Sequence, residues 1–344
     1  MATIIAWIVI LGVLVAIHEL GHFFVGKGFG MRVDEYSIGF GPALWKRRWG
    51  ETQYALRVVP LGGYVRFAGM DQNVDHNPRD FPNRPLWQRF LVIVAGPVMN
   101  LLLAMVLYAL ALGAVGVPVA TTTVAQTLSG YPAARAGIRP GDRIVSIDGQ
   151  PIRSWTALER SIESHHKQSM AVGIRGRQGV RVVRLHTQYD AKTKQHLIGI
   201  RPATTSMQVG PVTAISAGVT TTVRLTGAWF VALLHLVEGK HGVPVQGPVG
   251  IAVDVGIALQ GGAYYLFLLA AALSANLGLF NILPFPVLDG SRLFFIGLEG
   301  VRKKPMDPDK ESMIYLAGMV ILLLFVIIVT FHDVLSLFGR SFSS

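Results

Sequence analysis

The 344-residue chain contains no cysteine. That excludes disulfides, thiolate nucleophiles and cysteine-built zinc sites, and leaves the redox compartment open. Charge is scarce as well: Asp, Glu, Lys and Arg make up 15% of the chain, against roughly 25% in a soluble domain. No Lys or Arg precedes Lys27, so the first apolar run lacks the basic n-region of a signal peptide. The run is also too long, and no A-x-A-like site follows it, so it reads as a retained helix. The deficit is filled by apolar residues, which reach 51% with a mean hydropathy of +0.46. A membrane protein is expected.

About four membrane spans follow from the apolar runs, each near the ~20 residues that cross a bilayer core. They lie at 4–25, 90–116, 263–283 and 313–331. The third is rich in Ala, Ser, Asn and Gly, the composition of a helix packed on other helices. Basic residues set the orientation. Ten fall between the first two spans, from Lys27 to Arg89, and Arg292, Arg302, Lys303, Lys304 and Lys310 lie between the last two. The positive-inside rule puts both loops in the cytoplasm and both termini outside. The segment 211–238 is apolar along one side, with Thr and Arg224 opposite. It reads as an interfacial helix within a 204–262 connector, with a further short span as the alternative.

Residues 118–203 read as an external soluble domain of short strands and two helices. TTTVAQ, RIVSI, VGIRG and VRVVRL have strand character, YPAARAGI is a short helix closed by Gly137, Asp148-Gly149 is a tight turn, and Ser154 caps a second helix. This order suits a small, partly open barrel. The run YPAARAGIRPGDRIVSIDGQPI resembles a PDZ domain in its circularly permuted form, which implies capture of an extended peptide at a sheet edge. The segment carries 13 Lys and Arg against 5 Asp and Glu. Such an excess favours acidic peptides or anionic headgroups where it is not simply a solvated face.

Against this background HELGH, residues 18–22, stands out. Glu19 is the one acidic residue before Arg32, and His18 and His22 share its apolar run. Ionisable groups at membrane depth are costly and point to function. At i and i+4, the two imidazoles face one way and can hold one metal ion, with Glu19 beside them as a base toward water. A catalytic zinc site takes a third protein ligand. Asp289 is the candidate, in NILPFPVLDG (281–290), where two prolines break the third helix and non-helical backbone can line a cavity. His18 lies about seven residues, roughly 10 Å of helix, before the inner end of its span, and Asp289 follows the inner end of another.

The two motifs together resemble the site-2 protease family of intramembrane zinc metalloproteases. SIGFGPALW (37–45) and VVPLGGYVRFAG (58–69) resemble its membrane-associated β-hairpin region, and GPVMN (96–100) its second-span signature. The likeness is greatest to the bacterial single-PDZ type that cuts anti-sigma factors and remnant signal peptides. It implies His18, His22 and Asp289 as Zn²⁺ ligands, Glu19 as general base, and Asn281 as a residue that holds substrate backbone. One departure is Ser291, where the family pattern LDGG has its second Gly. A small residue is tolerable there, although it can stiffen the loop carrying Asp289.

The expectation is a polytopic α-helical protein of the bacterial cell membrane. Its parts are a 1–116 half with a 36–68 hairpin region, the 118–203 domain, the connector, and a 263–344 half. Its active site would lie toward the cytoplasmic leaflet, its partners would be single-span membrane proteins and the bilayer, and nucleic acid would not be among them. A metal-ion transporter using the same ligands is the alternative, though Glu19 would then be spare and the motif has no inverted repeat. A catalytically dead PDZ receptor is a third reading, opposed by the intact HExxH and Asp289. His76, His165, His166, His186, His196, His235, His241 and His332 lack paired spacing with a carboxylate and read as ordinary polar residues, apart from the adjacent His165-His166 pair.

Overall fold

The computed structural model describes residues 1–70, 77–165, 169–177, 179–190, 194–238 and 246–341, so His76, His166 and His241 lie outside the described residues. The chain forms two compact units, Met1–Val115 with Val209–Ser344, and Gly116–Gln208.

The first unit opens with α1 (Ala2–Gly28), a run without proline. Two long strands follow, β1 (Val33–Trp49) and β2 (Thr52–Phe67). They do more than form one hairpin. Residues 35–38 of β1 are flanked by 53–56 of β2 on one side and by 63–66 on the other, while 43–49 folds over 52–57. The ribbon doubles back into one sheet of four strand segments, in the order 43–49, 52–57, 35–38 and 63–66. Buried Glu35 pins the fold-back by accepting from Arg57 at 2.6 Å and from Arg66 at 3.2 Å. Helix α2 (Leu86–Leu110) then starts after Pro85 and runs into a π-helical turn at Ala111–Val115. A core of Phe23, Met31, Val33, Tyr36, Phe67, Phe81, Val92, Ile93 and Ile296 joins the end of α1 to the sheet and α2.

The second unit holds β3 (Val117–Thr127), α3 (Pro132–Arg135), β4 (Arg143–Ile147), β5 (Gln150–Pro151), α4 (Trp155–Ser164), β6 (Ser169–Gly176), β7 (Gly179–His186), β8 (Gln188–Asp190), β9 (Gln195–Leu197) and β10 (Ile200–Met207). The main sheet runs β10-β3-β4-β6-β7, with β5 on β4, and β8 pairs with β9 separately. Local chemistry explains the turns. Asp148 and Gly149 both take positive φ, 48° and 80°, between β4 and β5, the geometry an Asp-Gly pair provides. The Ser154 hydroxyl accepts from the Ala157 N–H and caps α4. Leu158 and Ile162 of that helix meet Ile144, Met170, Val172 and Ile174 of the sheet in one apolar core. His165 pairs with Asp148 at 2.8 Å, a partner 17 residues away that spacing does not reveal.

The first unit resumes with α5 (Pro211–Val237), α6 (Pro248–Gly261), α7 (Ala263–Ile282), α8 (Asp289–Arg302) and α9 (Pro308–Ser341). Five described helices are long and apolar enough to cross a membrane: Ala2–Gly28, Leu86–Val115, Pro211–His235, Ala263–Ile282 and Asp309–Leu337. This is one more than the four expected, and the addition is the helix read as interfacial. α5 packs lengthwise on α2. Buried Ala214, Gly218 and Thr222 form a stripe of small residues, with Gly218 against the Met105 carbonyl and Ala109. Farther along, Trp229 meets Phe280 of α7. The Thr222 hydroxyl that looked like part of a wet face is satisfied by its own helix, donating to the Gly218 carbonyl at 2.9 Å.

Leu158 is fully buried, so Leu158→Ala is expected to destabilise the second unit by about 2–5 kcal/mol, the usual cost of such a truncation. Limited proteolysis would show faster cleavage within residues 116–208, with α1 and α2 protected as before.

Candidate metal centre

His18 and His22 are each 5% exposed on α1, facing α2. The space for their rings exists because residue 96 is glycine: a Cβ there would lie 2.3 Å from His22 Nε2 and 2.9 Å from His18 Nε2. Asp289 arrives from the other side. Helix α7 ends at Ile282, the chain turns through Pro284 and Pro286, and α8 begins at Asp289. Val287 in this turn has φ +83°, a conformation that costs a β-branched residue of order 1–3 kcal/mol and is tolerated where the surroundings impose it. Gly290 permits the tight return, since a Cβ there would strike the Leu283 carbonyl oxygen at 2.1 Å. The Ser291 hydroxyl donates to the Leu288 carbonyl at 2.7 Å, so the departure from LDGG adds a tether beside Asp289.

The ligand atoms converge. Asp289 Oδ2 lies 2.9 Å from His18 Nε2 and 3.1 Å from His22 Nε2, and the two Nε2 atoms are 3.2 Å apart. His22 Nδ1–H donates to the Val92 carbonyl at 2.8 Å. A neutral His22 therefore turns an Nε2 lone pair toward the carboxylate and the other imidazole. Electron pairs brought together in an apolar setting need a cation between them. Two imidazole nitrogens and a carboxylate oxygen are also a donor set that zinc takes in catalytic sites, with a fourth position open. The residues fit a zinc ion.

Glu19 sits beside this cluster without ligating. It lines a cavity of about 200 Å³ together with His22, Tyr64, Val65, Phe67, Ile93, Val287, Asp289 and Arg292, and its Cγ lies close to Gly63 of β2. Asn281 is half-buried on α7 and is not among the residues lining the cavity. In the sequence Arg292 entered only through its charge and Tyr64 only within VVPLGGYVRFAG, neither as a site residue. Arg292 had a signal, lying one helical turn after Asp289 on α8. Tyr64 had none, because its place depends on how the ribbon folds back.

Gly96→Ala is expected to lower bound zinc in the purified protein as far as His18→Ala, His22→Ala or Asp289→Ala, because its methyl would occupy the space of the imidazoles. Metal analysis after dialysis checks this, and full zinc content in Asp289→Ala would remove that residue from the ligand set.

The chain is similar to known zinc metalloproteases. Residues 6–325 match the model of peptidase family M50. A protein of Clostridium acetobutylicum is 34% identical over 332 residues, covering 96% of this chain and 97% of its own length. The zinc metalloprotease RasP of Bacillus licheniformis is 30% identical, with 98% and 100% covered, and the regulator of sigma-W protease RasP of Bacillus subtilis is 29% identical, with 98% and 99% covered. Among solved structures, the PDZ domain of an SdrC-like protein of Listeria innocua is 22% identical, with a TM-score of 0.22 over 24% of this chain and 92% of that one. With a family model spanning nearly its whole length, the chain belongs to peptidase family M50, the site-2 protease type of zinc metalloprotease.

Proposed function

We propose that this multi-pass zinc metalloprotease hydrolyses peptide bonds within or beside the membrane-spanning segment of single-span proteins. His18, His22 and Asp289 hold the metal and Glu19 is the general base. The observation that carries this reading is the convergence of three ligand atoms within 3.2 Å, from helices 267 residues apart in sequence, next to a cavity lined by Glu19. Zinc, when bound, supplies a Lewis acid that polarises the scissile carbonyl and acidifies water. Glu19 takes the proton released as water attacks the carbonyl carbon, and returns it to the departing amine nitrogen. Having no hydrogen-bond partner among the described protein groups, its carboxylate is free for that exchange.

A helical substrate hides its carbonyls in internal hydrogen bonds, so it must be drawn out before attack. The edge of β2 at residues 63–67 favours this. One side of it pairs with β1, and Tyr64, Val65 and Phe67 line the cavity that contains Glu19. An extended segment laid along that edge gains backbone hydrogen bonds as it loses its helical ones. Asn281, half-buried and without a side-chain hydrogen bond among the described residues, is available to hold substrate backbone farther along.

The substrates we propose are anti-sigma factors or signal-peptide remnants, a reading supported by the name of the Bacillus subtilis relative, a regulator of sigma-W protease. The residue 116–208 unit, read as a PDZ-like domain, would filter or capture their outer ends. The basic loops support a metal centre toward the cytoplasmic leaflet of a bacterial membrane and an extracytoplasmic position for that domain.

Glu19→Gln is expected to retain zinc while cleavage of single-span peptides falls by about 10²–10⁴, with uncut substrate recoverable by crosslinking. Cleavage near the normal rate in that variant, or wild-type protein that moves metal across vesicles and cuts nothing, would overturn the protease reading. For sidedness, a reporter fused after Lys304 is expected in the cytoplasm and one inserted at Gly149 outside. The reverse pattern would invert the topology.

A further inference from the structure

Helix α2 contributes no metal ligand, yet both imidazoles lean on it. Three of its positions, spaced by four, face the HELGH motif: Val92, Gly96 and Asn100. The first gives a carbonyl to His22 Nδ1–H, and the second gives space. The third is fully buried, with its side-chain amide 3.1 Å from His18 Nδ1.

Written with Nδ2 toward the ring, that amide conflicts with the site. An N–H donated to Nδ1 requires a lone pair there, so a neutral His18 would carry its proton on Nε2, the atom that faces Asp289 and His22. Nε2 would then have no lone pair for a metal. The same orientation leaves Asn100 Oδ1 buried without a hydrogen-bond partner, a costly state for a carbonyl in an apolar bundle. The conflict at the ring disappears if the amide is turned end for end, with Oδ1 toward His18 Nδ1 and accepting, which alters no heavy-atom position appreciably, because amide O and N are nearly equivalent in shape.

We propose that Asn100 is a positioning residue for His18. Its Oδ1 accepts from His18 Nδ1–H, which fixes the tautomer and aims the Nε2 lone pair at the metal. This rests on the reading of His18 as a ligand and assigns a task to the last residue of GPVMN that the catalytic reading leaves idle. The amide is well anchored for the work. Ser274 of α7 donates to the Asn100 backbone carbonyl at 2.8 Å, so the α2 backbone is held at this position by α7. The two ligands are then oriented alike, each through Nδ1–H by an oxygen of α2, one from backbone and one from a side chain. Partners of this kind are worth about 10–100-fold in metal affinity.

The test compares wild type, Asn100→Asp and Asn100→Leu as full-length protein in micelles, with zinc affinity measured by competition against a chelator. The absorption spectrum of cobalt-loaded protein is recorded beside it. Asn100→Leu removes the acceptor at similar size, and zinc affinity is expected to drop about 10–100-fold, with an altered cobalt spectrum as His18 loses its orientation. An ionised aspartate accepts and cannot donate, so Asn100→Asp is expected to bind zinc close to wild type with the wild-type spectrum. A merely structural amide would not be rescued by a carboxylate. Wild-type affinity in folded Asn100→Leu, or an Asn100→Asp as weak as the leucine variant, overturns the proposal. If Asn100→Leu does not fold, the Asn100→Asp result decides alone, since retained affinity requires acceptance. Failure of the ligand reading is distinguishable: there the wild-type chain itself would take up no zinc.

Discussion

The near-contact of α1 and α2 governs the first unit. On α2, the missing side chain at Gly96 leaves room for two imidazoles. On α1, Gly21 is matched to it: a Cβ there would lie 2.4 Å from the Ala95 carbonyl oxygen. One residue along α2, the Pro97 carbonyl lies against Gly278 of α7. Between membrane helices the gain comes from close van der Waals packing and interhelical hydrogen bonds, because lipid tails are as apolar as the side chains themselves. Small residues at 21, 96 and 278 let three backbones approach around residues 95–100, and the polar groups of the site lie within that approach.

Such packing has a cost that the site must offset. Two histidines and an asparagine are buried and the aspartate is only part-exposed, and each buried polar atom without a partner is destabilising by about 1–3 kcal/mol. The ring nitrogens turned away from the centre are met by Val92 and Asn100. The atoms turned inward face one another, and this mutual exposure of lone pairs makes the cluster a cation site rather than a polar core. Glu19 differs from the rest. It lines the cavity beside Gly63, outside the cluster of His18, His22 and Asp289, where the proposed base can meet whatever occupies that space. Ligand and base roles are thus separated by one residue step on a helix, about 100° of rotation.

Much of this could be read from the sequence, for identifiable reasons. HELGH has local geometry: i and i+4 fall on one face whatever the rest of the chain does. Asp289 could be anticipated because prolines at 284 and 286 end a helix at a definable depth. Asp148-Gly149 and the Ser154 cap are local too, and they appear as expected. What stayed hidden depends on distant pairing. The strands β1 and β2 fold back through registers shared with two partners at once, which alternation along one strand cannot express. In α5, Thr222 looks like a wet-face residue, whereas it is buried and its hydroxyl is satisfied by the preceding turn. Gly96 and Asn100 were visible as part of GPVMN, but their meaning required knowing that α2 crosses α1 at His18 and His22.

The fold-back of the ribbon also bears on selectivity. Glu35 is buried between Arg57 and Arg66, and removing one partner of such a pair leaves a charge that the site cannot solvate. That interaction ties Arg57 and Arg66 to the inner strand 35–38 from its two sides. In a simple hairpin 63–66 would still pair with 35–38, because both pairings share the register of the 49–52 turn, but the far side of 35–38 would lie open instead of being covered by 53–56. The edge proposed to accept peptide thus carries one partner of the ion pair, Arg66, beside the cavity that Glu19 lines. On the proposed reading, a substrate segment that stays helical would find no backbone partner on this edge, whereas one that opens would find a row of them. Resistance of the substrate helix to unwinding, set by its own glycines, prolines and polar residues, would then be a determinant of which segments are cut.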